Sequence, residues 1–187
     1  DEYRRSMVQD KFGFPKENCF KDADELAGVP KFADAIINGT MDELHVKTSI
    51  PLLKLGYDML LEKPFCVNKA EMKELLSVVK EHKNKVMVCH VLRYAPFYLR
   101  IKEKINSGDL GEITNIQTIE NVSYHHIATS FVRGKWGNSK RCGTSMLLAK
   151  CCHDMDILQW IIDKPCKKIQ SFGTLSYFNS KNAPEGS

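Results

Sequence analysis

The chain has 187 residues, 43% hydrophobic and 27% charged, the proportions of a soluble globular protein with material for one large core or two small ones. Its net charge of +4 comes from lysines spread along the sequence, and no like-charged run marks a nucleic-acid or membrane surface. No apolar run is long enough to span a bilayer, and the opening DEYRRSMVQDKFGF lacks the apolar stretch of a signal peptide. The seven cysteines are odd in number, irregular in spacing and without a CxxC, which points to reduced thiols in a cytoplasmic protein.

The first residues read as a helix ending at Gly13. FADAIING, residues 32–39, reads as a buried strand of a parallel sheet, followed by a loop with Thr40 and Asp42 and a helix to about Leu55. Gly56 fits a helix C′ position. YDMLLEKP reads as a second buried strand, stopped by Pro64, which has no N–H for a ladder. In NKAEMKELLSVVKEHKN, Asn68 is a good N-cap with Glu71 three residues on, and Met72, Leu75, Leu76 and Val79 follow helical spacing toward a core. KVMVCHV is a third strand, and a further helix opens at Pro96 and ends at Gly108.

After Gly111 the texture changes. EITNIQTIENVSY and KKIQSFGTLSYF are rich in β-formers and predict strands. Between them lie an irregular segment, HHIATSFVRGKWGNSKRCGTS, and a helix over about 146–162. The expected organisation is therefore an α/β chain: a Rossmann-like doubly wound parallel sheet over 1–110, then part of an α+β domain with a large open, mostly antiparallel sheet over 111–187. A dinucleotide-binding domain normally opens with a strand, a Gly-rich turn and a helix, about 30 residues long. No GxGxxG occurs, so the expectation is a first domain lacking that unit and a second domain cut short. A small complete domain that binds no dinucleotide is the alternative.

The stretch AKCCHDMD, residues 149–156, packs chemistry-bearing residues densely. Helical spacing places Ala149, Lys150, His153, Ile157 and Ile161 along one side, with Cys152 and Asp156 on another. A metal reading with His153 and Asp156 lacks further ligands, and neither cysteine shows the base and electropositive niche of a nucleophile. No metal is expected, and buried, inert thiols are. Glu62 and Lys63 end a strand, where open α/β sheets bind ligands; a solvated Glu–Lys pair is the plainer reading. SFVRGKWGNS could cover a ligand with Arg133 and Trp136, or simply pack against a domain. Tyr124, His125 and His126 fall at the end of the first strand of the second domain, where they could face substrate.

The ordered strings FADAIINGTMDELHVKTSIPLLKLGYDMLLEKPF, HVLRYAPFYLRIKEKINSGDLGEI and CHDMDILQW resemble the glucose–fructose oxidoreductase / inositol dehydrogenase (Gfo/Idh/MocA) family over nearly the whole chain. The resemblance implies an NAD- or NADP-dependent enzyme moving hydride to or from a carbon of a sugar, cyclitol or related hydroxy or keto substrate. It implies a homo-oligomer, dimer or tetramer, with no nucleic-acid or membrane partner. It assigns Lys63 and His153 to catalysis, with His153 trading a proton with the substrate hydroxyl. Thr40, Met41, Asp42, His45, Glu62, Lys63 and Arg93 would bind cofactor; Met41 stands where the family has proline, which predicts a less rigid loop. Tyr124, His126, Arg133, Trp136, Lys150 and Asp156 are substrate-side candidates. Ala149 stands where the family has an Asp one turn before the His. Ala149 opens altered chemistry or a sugar- or nucleotide-binding regulatory protein without turnover, and Lys150 beside it either forms a two-lysine site with Lys63 or reaches to solvent.

Overall fold

The computed structural model describes residues 1–186. They form two compact units, Asp1–Cys89 with Cys142–Thr144, and His90–Arg141 with the described residues from Ser145 onward.

The first unit opens with helix α1 (Glu2–Phe12), capped by the Asp1 side chain and closed by Gly13 in the left-handed region. The short helix α2 (Ala23–Ala27) is capped by Asp22. Three strands follow, β1 (Ala35–Asn38), β2 (Asp58–Leu61) and β3 (Val86–Val88), all parallel, in the order β1-β2-β3. Helices α3 (His45–Lys54) and α4 (Lys69–His82) make the crossovers and pack on each other. Both helices lie over one face of the sheet, as right-handed crossovers in one direction require.

The core sits between that face and the helices: Val46, Leu52, Leu53, Tyr57, Met59, Leu61, Leu75 and Val78. Each fully buried aliphatic side chain here contributes roughly 1.5–3 kcal/mol. The strands alternate rather than being buried throughout. Met59 and Leu61 are covered, whereas Ile37 is 75% and Met87 48% exposed on the other side. On α4 the buried pair is Leu75 and Val78, and Leu76, expected in the core, is 47% exposed. Leu76 lies about 100° around the helix from Leu75, beyond the covered stripe. The Asn68 side chain accepts from Glu71 N at 2.9 Å, and Glu71 Oε2 accepts from Val67 N at 3.0 Å, a box closed one residue early.

In the second unit, helix α5 (Pro96–Asn106) packs on helix α8 (Met146–Ile162). The boundary expected at residue 110 thus falls after α5, whereas this unit begins at His90. Ser145 caps α8, and Lys102 Nζ donates to the Trp160 carbonyl at 2.7 Å near its C-terminal end, where a cation suits the helix dipole. Ala149, Ile157 and Ile161 are its buried residues, on the side the spacing predicted.

The two segments expected to be strands in this unit, 112–124 and 167–178, form no ladder among the described residues. Phe172 is 93% exposed. β-propensity marks them, but a strand exists only when a neighbour pairs with its backbone, and neither finds one here. The irregular segment contains helical turns: α6 (Tyr124–His126) runs into a π-helical stretch (Ile127–Val132), and α7 spans Ser139–Cys142. Tyr124, His125 and His126 are therefore helical, not a strand end. Ser123 accepts from His126 N, and such a cap favours a helix start over an extended chain.

Candidate functional site

In the first unit the C-terminal ends of β1 and β2 part to form an edge lined by residues 39–45 and 62–64. Gly39 leaves β1 with open space around its backbone: an added Cβ would meet nothing within 4 Å. Thr40 is exposed, Met41 half-buried and Asp42 buried. Met41 adopts φ −71°, within the range that a proline ring would fix, and ψ 154°. Its carbonyl accepts from Leu44 N at 2.8 Å, closing the 3₁₀ turn Asp42–Leu44 before α3.

His45 is 1% exposed. Its Nδ1 lies 2.8 Å from the Pro64 carbonyl and its Nε2 2.9 Å from the Thr40 carbonyl. The sequence reading put this ring against a cofactor; the structure puts it beneath the loop, with each nitrogen facing a backbone carbonyl. Asn38, which the sequence reading passed over, ends β1 buried. Its Nδ2 faces Thr48 Oγ1 and Ser49 Oγ at 2.9 Å each, and its Oδ1 accepts from Thr40 Oγ1 at 2.8 Å. A polar residue closing an apolar strand was the available signal.

Glu62 and Lys63 sit half-buried at the β2 exit, where Glu62 N extends the ladder to the Asn38 carbonyl at 3.0 Å. Glu62 also faces Cys89 beyond β3. Burial, then the Glu62 charge and hydrogen bond, push the Cys89 thiol above its ordinary pKa, so it is a poor nucleophile. Burial and the charge of Asp154 do the same to Cys151.

In the second unit His153 lies half-buried on α8, with Nδ1 buried. Asp156, one turn on, is not on a separate face. His90 approaches both, its Nε2 3.7 Å from Asp156 Oδ1 and its ring edge-on to His153 at 6.0 Å between centroids. Residues three apart on a helix diverge by only about 60°, so His153 and Asp156 share a flank. Arg93 grips Asp156 with two parallel hydrogen bonds, Nε to Oδ2 at 2.7 Å and Nη2 to Oδ1 at 2.5 Å. The hydrogen bond to Asp156 raises the Arg93 pKa against the opposing effect of burial. Arg93, expected to meet cofactor, thus spends its fork on a carboxylate of its own unit. His90 was missed, although it stands three residues before Arg93.

Ala149 is 4% exposed, and Lys150 is half-buried beside it. Of the other substrate-side candidates, Tyr124 and Arg133 are exposed, His126 packs edge-on to Phe131, and Trp136 packs on Phe131 at 6.0 Å. The turn between Arg133 and Trp136 needs glycine, because a Cβ at Gly134 would lie 2.3 Å from the Thr129 carbonyl. Trp136 is thereby held in a small aromatic cluster. A half-open pocket of about 410 Å³ with a mixed, mainly apolar lining lies elsewhere in this unit, between α5, α8 and residues 113–120. Among the described residues no three His, Cys, Asp or Glu side chains are grouped to hold a metal, and no helix is long and apolar enough to cross a membrane.

Residues 1–90 match the oxidoreductase family with an NAD-binding Rossmann fold, and residues 98–183 match the Gfo/Idh/MocA C-terminal domain. YteT of Bacillus subtilis (strain 168), which bears only the general name of an oxidoreductase, is 27% identical over 173 residues, 86% of this chain and 40% of its own length. The scyllo-inositol 2-dehydrogenase (NADP(+)) IolW of the same organism is 25% identical over 162 residues, 83% of this chain and 44% of its own. Among solved structures, scyllo-inositol dehydrogenase from Lactobacillus casei with bound NAD(H) and scyllo-inositol superposes with a TM-score of 0.67 at 23% identity, covering 77% of this chain and 41% of that one. The chain therefore spans less than half the length of each of these proteins. With two family matches running in order along nearly all of its residues, the chain belongs to the Gfo/Idh/MocA oxidoreductase family.

Proposed function

We propose that this chain is the nicotinamide-side and catalytic portion of an NAD- or NADP-dependent dehydrogenase acting on a hydroxyl or keto carbon of a sugar, cyclitol or related substrate. The observation that carries this reading is Glu62 and Lys63 at the end of a parallel strand, beside a loop whose backbone is open at Gly39. Open α/β sheets bind ligands at that edge. An exposed strand-end backbone, a carboxylate able to accept from a ribose hydroxyl and an ammonium for the reacting end fit a nicotinamide nucleoside. When bound, the nicotinamide supplies or accepts the hydride.

The rest is done by the chain's own groups. Lys63 hydrogen-bonds the reacting oxygen and stabilises negative charge on it. His153 moves the hydroxyl proton, carried on Nε2, since Nδ1 is buried. Arg93 fixes Asp156, and His90 beside Asp156 adds a second imidazole to the same flank of α8. The names of IolW and of the Lactobacillus casei enzyme support a polyol-type substrate.

The test is reduction of NAD and NADP by the full-length protein across a panel of sugars and cyclitols. Lys63→Ala and His153→Ala should each lower kcat by at least about 100-fold, the usual worth of a general acid–base. Normal turnover in both variants refutes the assignment. A second reading, a sugar- or nucleotide-binding regulator, rests on the buried Ala149 in place of a carboxylate. Tight binding of cofactor and sugar with no reduction across the whole panel would favour it.

A further inference from the structure

We propose that His45 is a positioning residue that couples the loop at Thr40 to the strand end at Pro64, and so sets the gap between the two segments assigned above to the cofactor. The consequence for cofactor rests on that assignment; the coupling rests on geometry alone.

Strands β1 and β2 are tied by ladder bonds as far as Glu62 N to the Asn38 carbonyl, 3.0 Å. There the ladder must stop, because Pro64 has no N–H to give. His45 takes over at that point. Its ring stands between the two diverging chains, 2.8 Å from the Pro64 carbonyl and 2.9 Å from the Thr40 carbonyl. An imidazole is rigid and these distances are short, so the ring acts as a spacer of fixed length. A neutral imidazole has one N–H and one acceptor nitrogen, and satisfies one carbonyl; a ring protonated on both nitrogens satisfies both.

The loop side is gripped a second time, from the sheet. Asn38 Oδ1 accepts from Thr40 N at 3.2 Å and from Thr40 Oγ1 at 2.8 Å. Asn38 Nδ2 reaches the His45 carbonyl at 3.2 Å, which also accepts from Ser49 Oγ at 2.6 Å. His45 is thus held at backbone and ring, and a shift of the ring displaces Thr40 and Pro64 together. Lys63 is the residue before Pro64, so the same shift moves its backbone. The ring thus stands in polar contact with both segments just beyond the ladder's end.

The test uses the full-length protein and two variants, His45→Phe, which fills the space without a ring nitrogen facing either carbonyl, and His45→Gln, which can still donate to one of them. Val78→Ala, in the core between α4 and the sheet, serves as a destabilising control matched by thermal melting. Amide hydrogen exchange should quicken both in residues 40–44 and at the amides of Lys63 and Phe65 of His45→Phe, less in His45→Gln, and in neither segment of Val78→Ala. Titration with NADH and NADPH should show affinity weakened about tenfold in His45→Phe, the equivalent of one net hydrogen bond, and unchanged in the control. Faster exchange in one segment only overturns the coupling. Nucleotide binding in His45→Phe as tight as in the control overturns the positioning role. If the unsubstituted protein binds neither nucleotide while both segments still open together, the coupling stands and the proposed function falls.

Discussion

Removing the Asp156 carboxylate tests whether the second unit is organised around it. Asp156→Ala deletes two charge-assisted hydrogen bonds from Arg93 and the 3.7 Å approach of His90. A fully exposed ion pair contributes about 0.2–1 kcal/mol, and breaking a fully buried one costs about 3–5 kcal/mol. Here the carboxylate is 10% exposed and the guanidinium 38%. Water can therefore rehydrate Arg93 once its partner is gone, which places the loss between those limits, at about 2 kcal/mol. Asp156→Asn keeps the shape and one acceptor oxygen, and should lose about half as much, near 1 kcal/mol.

The coupling is isolated by a double-mutant cycle with Arg93→Met, which keeps the stem of the side chain. Urea unfolding followed by tryptophan fluorescence reports on this unit, because both tryptophans, Trp136 and Trp160, lie in it. Arg93 and Lys102 also lie within 6.0 Å of the Trp160 ring, so its emission senses the pair directly. The expected coupling is about 1–1.5 kcal/mol, between exposed and buried pairs. A coupling below about 0.5 kcal/mol, the level of a solvated surface pair, would refute the idea that Asp156 is the anchor of this cluster.

Three further outcomes follow from particular contacts. Asn68→Ala should lower stability by about 1 kcal/mol, as loss of an N-cap does, with no change in the urea m-value; an unchanged midpoint would remove the cap from the account of α4. Gly143 has φ +68°, and a Cβ there would lie 3.2 Å from Glu43 Cβ and 3.4 Å from Val67 Cγ2. Gly143→Ala should therefore cost about 1–2 kcal/mol, and a melting temperature equal to that of the parent would contradict the close approach. Iodoacetamide at neutral pH should modify the exposed Cys166 ahead of Cys66, Cys89 and Cys151, whose raised pKa values leave little thiolate. Mass spectrometry showing Cys151 or Cys89 modified first would return a thiol-dependent mechanism to consideration.

Much of the α/β architecture is legible in the sequence, because its signals are local. Asn68 with Glu71 located the start of α4, Pro96 the start of α5, and the run after Ser145 the whole of α8. Apolar runs stopped by Gly39 and Pro64 located β1 and β2. The failures were non-local. Residues 112–124 and 167–178 have the composition of strands, but a ladder is a property of two segments, and composition describes one. Leu76 and Val78 differ in burial by the placement of a stripe that depends on what packs against α4.

The sequence by itself determined which chemical groups this protein brings, and in what order: a strand-end Glu62–Lys63, a loop from Thr40 to His45, and a helix bearing His153 and Asp156. Motif order survives because it is covalent. What only the tertiary structure decided is which of those groups remain available. Helical spacing assigned His153 and Asp156 to different faces; packing brought His90 and Arg93 to the flank they share. A motif assigned His45 to the cofactor, and burial turned it into a link between two carbonyls. The physical reason is the same in both cases. A buried polar group must be matched by another polar group, and the match is found in space rather than along the chain.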